Sequence, residues 1–123
     1  MSVVLDFAAP PPGLAPHTSF ALTAIDEADG LFSLRAVEDA DLRLYVVDPQ
    51  TVITGYAPLL NDGQVAELGL TSPDDAMLLV IAHPGPDGVS VNLLAPVVVN
   101  RTTGRAAQII LDGQDFDVRT PLG

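Results

Sequence analysis

The stretch from Val89 to Asp112 constrains the fold of this chain more than any other part of the sequence. Val89, Val91 and Leu93 alternate with polar residues, which is typical of a strand with one buried face. Pro96 then interrupts the run. Because proline has no N–H to donate to a neighbouring strand, we expect a kink, a bulge or a sheet edge at this point.

The residues that follow Pro96 predict the rest of an antiparallel hairpin. Val97–Asn100 resumes the strand, and Arg101–Gly104 is a short polar turn that ends in a glycine. Ala106–Leu111 is predicted to be the returning strand. Together these segments are sufficient to nucleate an antiparallel sheet.

Short apolar segments predict more strands earlier in the chain. They cover Val3–Phe7, Thr18–Ile25, Leu31–Val37, Leu42–Asp48 and Met77–Ala82. Met77–Ala82 is apolar throughout, so we expect it to be covered on both faces or to line a barrel, and to form a hairpin with Val89–Leu93. About eight short strands at this spacing predict a mainly β fold, a small antiparallel barrel or sandwich-like domain. The length of 123 residues predicts a single domain, 1–123.

One or two short helices are expected between the strands. Asn61 is a good N-cap, and Gln64 stands three residues later, as in a capping box. Gly69 is suited to end this helix. Ser72 and Pro73, followed by two acids, have the form of a second, very short helix start.

Charge is the most distinctive feature of the composition. Sixteen acidic residues stand against five arginines, without any lysine, which gives a formal net charge of −11. Direct nucleic-acid binding is not expected, because contacts to phosphate need a basic surface. Two interpretations remain open. The acidity keeps a small apolar domain soluble and monomeric, or it attracts a basic protein partner and keeps RNA away from it.

No residue pattern indicates catalysis, a cofactor or a metal. The chain has no cysteine, no nucleophile motif and no phosphate-binding loop. His17 and His83 stand apart and are interpreted as loop histidines. The acid pairs in Asp39–Asp41 and Asp115–Asp117 are interpreted as solvated turns. We therefore expect a protein without enzymatic activity and without a cofactor.

No targeting or membrane segment is recognisable. The first residues lack the basic and apolar regions of a signal peptide, and no apolar run approaches the ~20 residues that cross a bilayer. A cytoplasmic location without membrane contact is the expectation.

Three further residues have two interpretations each. Asn92 and Asn100 flank the interrupted strand; we expect them to bond the backbone freed by Pro96, and the alternative is display of their amides to a partner. Tyr56 is either a core residue or an exposed aromatic anchor of an interface.

Several blocks of the sequence resemble one known family. The most specific are Asn92–Asn100 and Gln108–Leu111, and Val4–Phe7, Pro12–Leu14 and Tyr45–Pro49 add to them. These blocks are similar to the flagellar assembly factor family, FliW. The family usually has a further strand before the position of Val4, so we expect the barrel here to lack an opening strand and to leave an edge.

The resemblance implies a small β-barrel-like domain without enzymatic activity and with two protein partners. These are flagellin and CsrA, an RNA-binding translational regulator. FliW freed from flagellin binds CsrA and relieves the repression of flagellin translation. A different function stays open from the residues alone: a β-barrel that binds a small molecule in a cavity lined by Met77–Ala82.

The acidic loop-and-helix region is the expected partner-binding surface. The candidate residues are Asp48, Tyr56, Asp62, Glu67, Asp74 and Asp75. Replacing Asp74 and Asp75 with lysine is expected to weaken CsrA binding. The melting temperature should then change by only about a degree or two, as is usual for surface substitutions.

Overall fold

A computed structural model describes residues 2–11, 14–25, 30–51, 53, 56, 58–86, 88–111, 113–117 and 119–121. Within these ranges the strands are β1 (Ser2–Phe7), β2 (Ser19–Ala24), β3 (Leu31–Ala36), β4 (Arg43–Val47), β5 (Ala76–Gly85), β6 (Gly88–Asn100), β7 (Arg105–Gln108) and β8 (Thr120–Pro121). The connection between β4 and β5 carries helix α1 (Asp62–Leu68) and the 3₁₀ helices Pro49–Thr51 and Pro73–Asp75. Strands β1 to β4 match the sequence predictions to within one residue at either end.

Strands β1 to β7 form a closed seven-stranded barrel. Each strand from β1 to β6 pairs with the next in antiparallel fashion, and β1 also pairs in parallel with β7 through Asp6–Arg105 and Phe7–Ala106. Strand β8 lies outside this ring, antiparallel to the first half of β6. The prediction of a mainly β barrel is confirmed. The expected open edge is found only in part: β7 covers the end of β1 at Asp6 and Phe7, whereas residues 2–5 of β1 pair with β2 alone among the described strands.

Alternate side chains of the seven barrel strands fill the interior. Phe20 in β2 is fully buried, and its ring meets that of Phe7 edge to face with the centroids 5.4 Å apart. The buried members of this interior cluster are Leu5, Phe7, Leu14, Phe20, Leu22, Leu34, Ala36, Val46, Leu79, Ile81, Val97, Val99 and Ala106. Removing this apolar surface from water is the main driving force for folding.

Strands β5 and β6 are covered on their outer face as well. Val80 and Val91 point away from the interior, are fully buried, and pack with Tyr56 and Phe116 in a second cluster. Leu68 of α1 belongs to a third cluster on the same side of the barrel. The expectation that Met77–Ala82 is covered on both faces is therefore confirmed, although the strand itself is longer.

Pro96 lies in a wide bulge of β6. Leu79 pairs with Val97 and Ile81 pairs with Asn92, so one residue of β5 faces the four residues 93–96 of β6. The strand continues on both sides of this irregularity. Of the kink, bulge or edge predicted at the proline, the structure shows the bulge, because proline has no N–H to donate to the ladder.

The two asparagines of β6 have different roles. Asn92 Oδ1 accepts hydrogen bonds from the N–H groups of Leu94 and Ala95, at 3.1 Å each, which satisfies backbone in the bulge as predicted. Asn100 does not bond this backbone. Its side chain bonds the β6–β7 turn and the end of α1 instead, so the prediction for Asn100 is wrong.

The returning strand β7 is shorter than the predicted Ala106–Leu111. Its ladder ends at Gln108, because the opposite part of β6 is the bulge. Two single hydrogen bonds continue along the bulge, from Ile109 N to the carbonyl of Pro96 at 2.9 Å and from Leu111 N to that of Leu94 at 2.8 Å. The segment thus still follows β6, without a regular ladder.

Helix α1 forms as its sequence predicts. Asn61 Oδ1 accepts the N–H of Gln64 at 2.8 Å, and Gln64 Oε1 accepts the N–H of Asn61 at 2.9 Å, so the capping box is complete. Gly69 ends the helix with a φ of 67°, a left-handed conformation that glycine adopts without strain. The helix has only seven residues and depends on docking through the fully buried Leu68. The predicted second helix start is the 3₁₀ helix Pro73–Asp75.

In the part of the chain that the structure describes, no helix is long and apolar enough to span a bilayer.

Substitution of Val91 by aspartate is predicted to unfold the barrel. Val91 is fully buried between β5, β8 and the second cluster, so the carboxylate would be an unpaired buried charge, which costs several kcal/mol. The melting temperature, followed by circular dichroism, should fall by at least about 10 °C.

Val89→Asp is the matched control, because Val89 lies two residues earlier on the same strand and is 41% exposed. It should melt close to the wild type. Equal melting of the two variants would contradict the assignment of Val91 to the core.

Candidate protein-binding surface

Helix α1 presents an acidic face to solvent. Asp62 and Glu67 are exposed, and the exposed residues between them, Gly63 and Ala66, have no long side chains. The opposite face carries the buried Leu68, which fixes the orientation of the helix. A partner can therefore approach the two carboxylates without displacing other side chains.

A groove separates α1 from the start of β5. Its volume is about 580 Å³, and its lining includes Leu60 and Val65 on the helix side and Met77 on the barrel side. Asp48 and Arg101 also line it, so both signs of charge are present in a lining that mixes apolar residues with the polar Gln50, Thr71 and Ser72.

Asp48 lies at this groove and starts the 3₁₀ helix Pro49–Thr51. Its Oδ1 accepts the N–H of Gln50 at 3.0 Å, and its backbone carbonyl accepts the hydroxyl of Thr51 at 2.7 Å. The side chain is half-buried. Asp48 thus combines a capping role with access to the groove.

Asp74 and Asp75 are neighbours with different surroundings. Asp74 is exposed. Asp75 Oδ2 accepts three hydrogen bonds: from the hydroxyl of Thr71 at 2.6 Å, from the N–H of Thr71 at 3.1 Å, and from the N–H of Ser72 at 3.2 Å. The bond from the Thr71 hydroxyl is the largest cause that lowers the pKa of Asp75, followed by the bond from the Thr71 N–H.

The carboxylate of Asp75 therefore caps a structural turn. Replacing both acids with lysine would remove this cap, so the expectation that the melting temperature hardly changes applies to Asp74 alone. The prediction of a short helix start at this acidic pair is confirmed. The sequence does not show, however, that Asp75 caps the turn while Asp74 is exposed.

Tyr56 belongs to the packing of the second cluster. Its ring meets that of Phe116 edge to face at 5.0 Å, and its hydroxyl donates a hydrogen bond to the carbonyl of Leu93 at 2.6 Å. Burial raises the pKa of Tyr56 to about 12. The core interpretation is the one that this geometry favours, and the residue is not part of the acidic face of α1.

Two exposed apolar residues next to α1 were missed in the sequence. Leu59 is 74% and Ile110 is 58% exposed, and both border a smaller groove of about 310 Å³ at the start of the helix. Gln114 bonds both the N–H and the carbonyl of Leu59, at 2.9 Å each, and so fixes this backbone. The sequence does contain a signal for Ile110. It is the middle residue of the apolar run 109–111, and in an extended chain the middle side chain points away from the other two.

Among the described residues there is no group of three or more acidic or histidine side chains that could hold a metal ion. Asp39 Oδ1 accepts the N–H of Asp41 at 3.1 Å, which is the bond of a turn.

The whole described chain matches the model of one protein family. The match to the FliW protein family covers residues 2–122. The chain belongs to the FliW family. Among FliW relatives, a protein named flagellar assembly factor FliW from Desulfitobacterium hafniense is 34% identical over 113 residues, which cover 90% of this chain and 74% of the relative. The protein of the same name from Azoarcus sp. is 31% identical, with 94% of this chain and 84% of the relative covered.

A solved structure supports the FliW fold. The crystal structure of a flagellar assembly factor FliW superposes with a TM-score of 0.90, covering 97% of this chain and 84% of the other at 24% sequence identity. At this level of identity the comparison bears on the fold alone.

Substitution of Asp75 by asparagine is predicted to lower the melting temperature at neutral pH. The pKa of Asp75 is lowered by folding, so its ionised form stabilises the native state above the ordinary aspartate pKa. This contribution is lost as the pH falls through the folded pKa. The difference between wild type and variant should therefore shrink from about pH 5 downwards.

Thermal melts between neutral and acidic pH measure this difference, with Asp74→Asn as the control. Asp74 is exposed, so its variant should melt like the wild type throughout. A difference for Asp75→Asn that does not depend on pH would count against the role given to the carboxylate.

Proposed function

We propose that this protein is a non-enzymatic flagellar assembly factor that binds flagellin and CsrA in the cytoplasm. Release from flagellin frees it to bind CsrA and to relieve the repression of flagellin translation. The observation that carries this proposal is the FliW family match over residues 2–122, with relatives named flagellar assembly factors. The acidic surface around α1 supports it independently.

Electrostatics favour a basic protein as one partner. The chain carries a formal net charge of −11, and Asp62, Glu67 and Asp74 expose carboxylates on or near α1. CsrA binds RNA and must therefore present basic surface. Opposite charge accelerates the encounter of the two proteins and keeps RNA away from the complex.

Apolar contact is also needed, because the centre of a protein interface is depleted of charge. Leu59 and Ile110 provide such area beside the acidic helix face. We assign them to the same partner-binding surface as Asp62 and Glu67. Together they combine an apolar patch with an acidic rim.

One observation favours a second candidate function. The groove between α1 and β5 has a volume within the range of small-molecule sites, and Met77 lines it. The barrel interior offers less space for a ligand, because the side chains of the interior cluster fill it. A small-molecule-binding protein would therefore use this outer groove, in contrast to the interior cavity suggested by the sequence.

A titration of the chain against flagellin and against CsrA, separately and in competition, tests the proposal. We expect binding to each partner, and the affinity for CsrA should fall as the salt concentration rises. A folded chain that binds neither partner would reject the proposed function and leave the groove as the stronger candidate.

Reversing the charge of an exposed acid on α1 or on the second 3₁₀ helix should weaken CsrA binding. Each of Glu67→Lys and Asp74→Lys is expected to cost about 1 kcal/mol of binding free energy, or about fivefold in Kd, with little change in melting temperature. Isothermal titration calorimetry at low salt measures the change. Asp41→Lys is the matched control, because Asp41 is exposed on the β3–β4 hairpin, away from α1. An equal loss for Asp41→Lys would mean that net charge alone drives binding.

A further inference from the structure

Asn100 is the one buried polar side chain among the described residues, with 2% of its surface exposed. Its Oδ1 accepts the N–H groups of Thr102 at 2.9 Å and Thr103 at 3.3 Å. Its Nδ2 donates to the carbonyls of Leu68 at 2.9 Å and Gly69 at 3.2 Å. Carbonyls at the end of a helix lack partners within the helix, so this one amide satisfies two of them.

The same turn also holds the 3₁₀ helix that carries Asp74. The N–H of Arg101 donates to the carbonyl of Asp75 at 2.8 Å. At the other end of the turn, the carbonyl of Gly104 accepts the N–H of Asp6 in β1 at 2.9 Å. Residues 100–104 thus connect α1, the second 3₁₀ helix and the barrel.

We propose that Asn100 is a positioning residue of the partner-binding surface. By bonding the end of α1, it holds Glu67 at a fixed separation from Asp74 on the neighbouring 3₁₀ helix. The energy between charges depends on their separation, so a fixed pattern of carboxylates binds a matching basic surface better than a mobile one. The claim that Asn100 aids partner binding rests on the function proposed above. The claim that Asn100 holds the end of α1 does not.

Asn92 is a matched control within the same strand. Its Oδ1 also accepts the N–H groups of the residues two and three positions ahead. Within the described residues, however, its hydrogen bonds stay in the bulge and do not reach α1. Asn92→Ser and Asn100→Ser both leave a hydroxyl that can bond the local turn. Only Asn100→Ser removes a link to the helix.

The binding experiment measures the Kd for CsrA at several salt concentrations for the wild type and both variants. Asn100→Ser should raise Kd at least about threefold and reduce the salt dependence, whereas Asn92→Ser should stay within about twofold of the wild type. The slope of log Kd against log salt is a readout that a general loss of stability does not change. Equal Kd values and slopes for two folded variants would overturn the proposal.

Amide hydrogen exchange tests the helix without any partner. In Asn100→Ser, the amides of α1 should exchange at least about tenfold faster relative to those of β2 and β3, and in Asn92→Ser they should not. Unchanged exchange of α1 in folded Asn100→Ser would overturn the positioning role even if the wild type binds CsrA. Faster exchange in a protein that does not bind CsrA would support the positioning role and reject only the proposed function.

Asn100→Asp provides a second variant, since its carboxylate can accept both turn N–H groups but cannot donate to the helix carbonyls. Its control, Asn92→Asp, adds the same charge. As for the serine variants, we expect the Asn100 variant to raise Kd and speed the amide exchange of α1, and the Asn92 variant to do neither. Loss of cooperative melting in both Asn100 variants would show that the residue is needed for the fold at large, and would overturn a role specific to the surface.

Discussion

The parallel pairing of β1 with β7 is the contact on which the structure depends. It involves only two residue pairs, with one further hydrogen bond on each side, from Asp6 N to the carbonyl of Gly104 and from Ala8 N to that of Ala106. This short contact turns a strand meander into a closed ring. Closure gives every barrel strand two neighbours and encloses one apolar interior, so the interior has a structural role and the proposed binding surface lies outside it.

In the part of the chain that the structure describes, the cover of the outer surface lies on one side. Helix α1 and residues near the C-terminus pack over β5, β6 and β7, and the second cluster extends to Val47 of β4. This cover creates the grooves, exposes the acids of α1, and places Leu59 and Ile110 beside them. The β6–β7 turn connects the barrel closure to this side, because Gly104 bonds β1 while Asn100 bonds α1. In this account, the element that closes the barrel also orders the proposed binding surface.

Local features of the fold could be predicted from the sequence, and long-range ones could not. The capping box of Asn61 and Gln64 and the bulge at Pro96 depend on residues within a few positions, so their patterns were sufficient. The closure by β1 and β7 joins segments about a hundred residues apart and leaves no pattern in either. For the same reason the sequence does not predict the long-range role of Asn100, whose Nδ2 donates to carbonyls that are 31 and 32 residues away. Among the candidate site residues, the acids could be proposed from their charge alone. Only the fold distinguishes Asp75, which caps a turn, from the exposed Asp74, and only the fold places Tyr56 in the second cluster.

The central claim is that the side of the barrel covered by α1 is the protein-binding face. An NMR titration of the isotopically labelled chain with unlabelled CsrA tests it most directly. The account predicts that amide shifts change in α1, in residues 71–75 and around Asp48, and that the outer face of β2, β3 and β4 stays unchanged. Shift changes concentrated on β2, β3 and β4, with α1 unaffected, would contradict it.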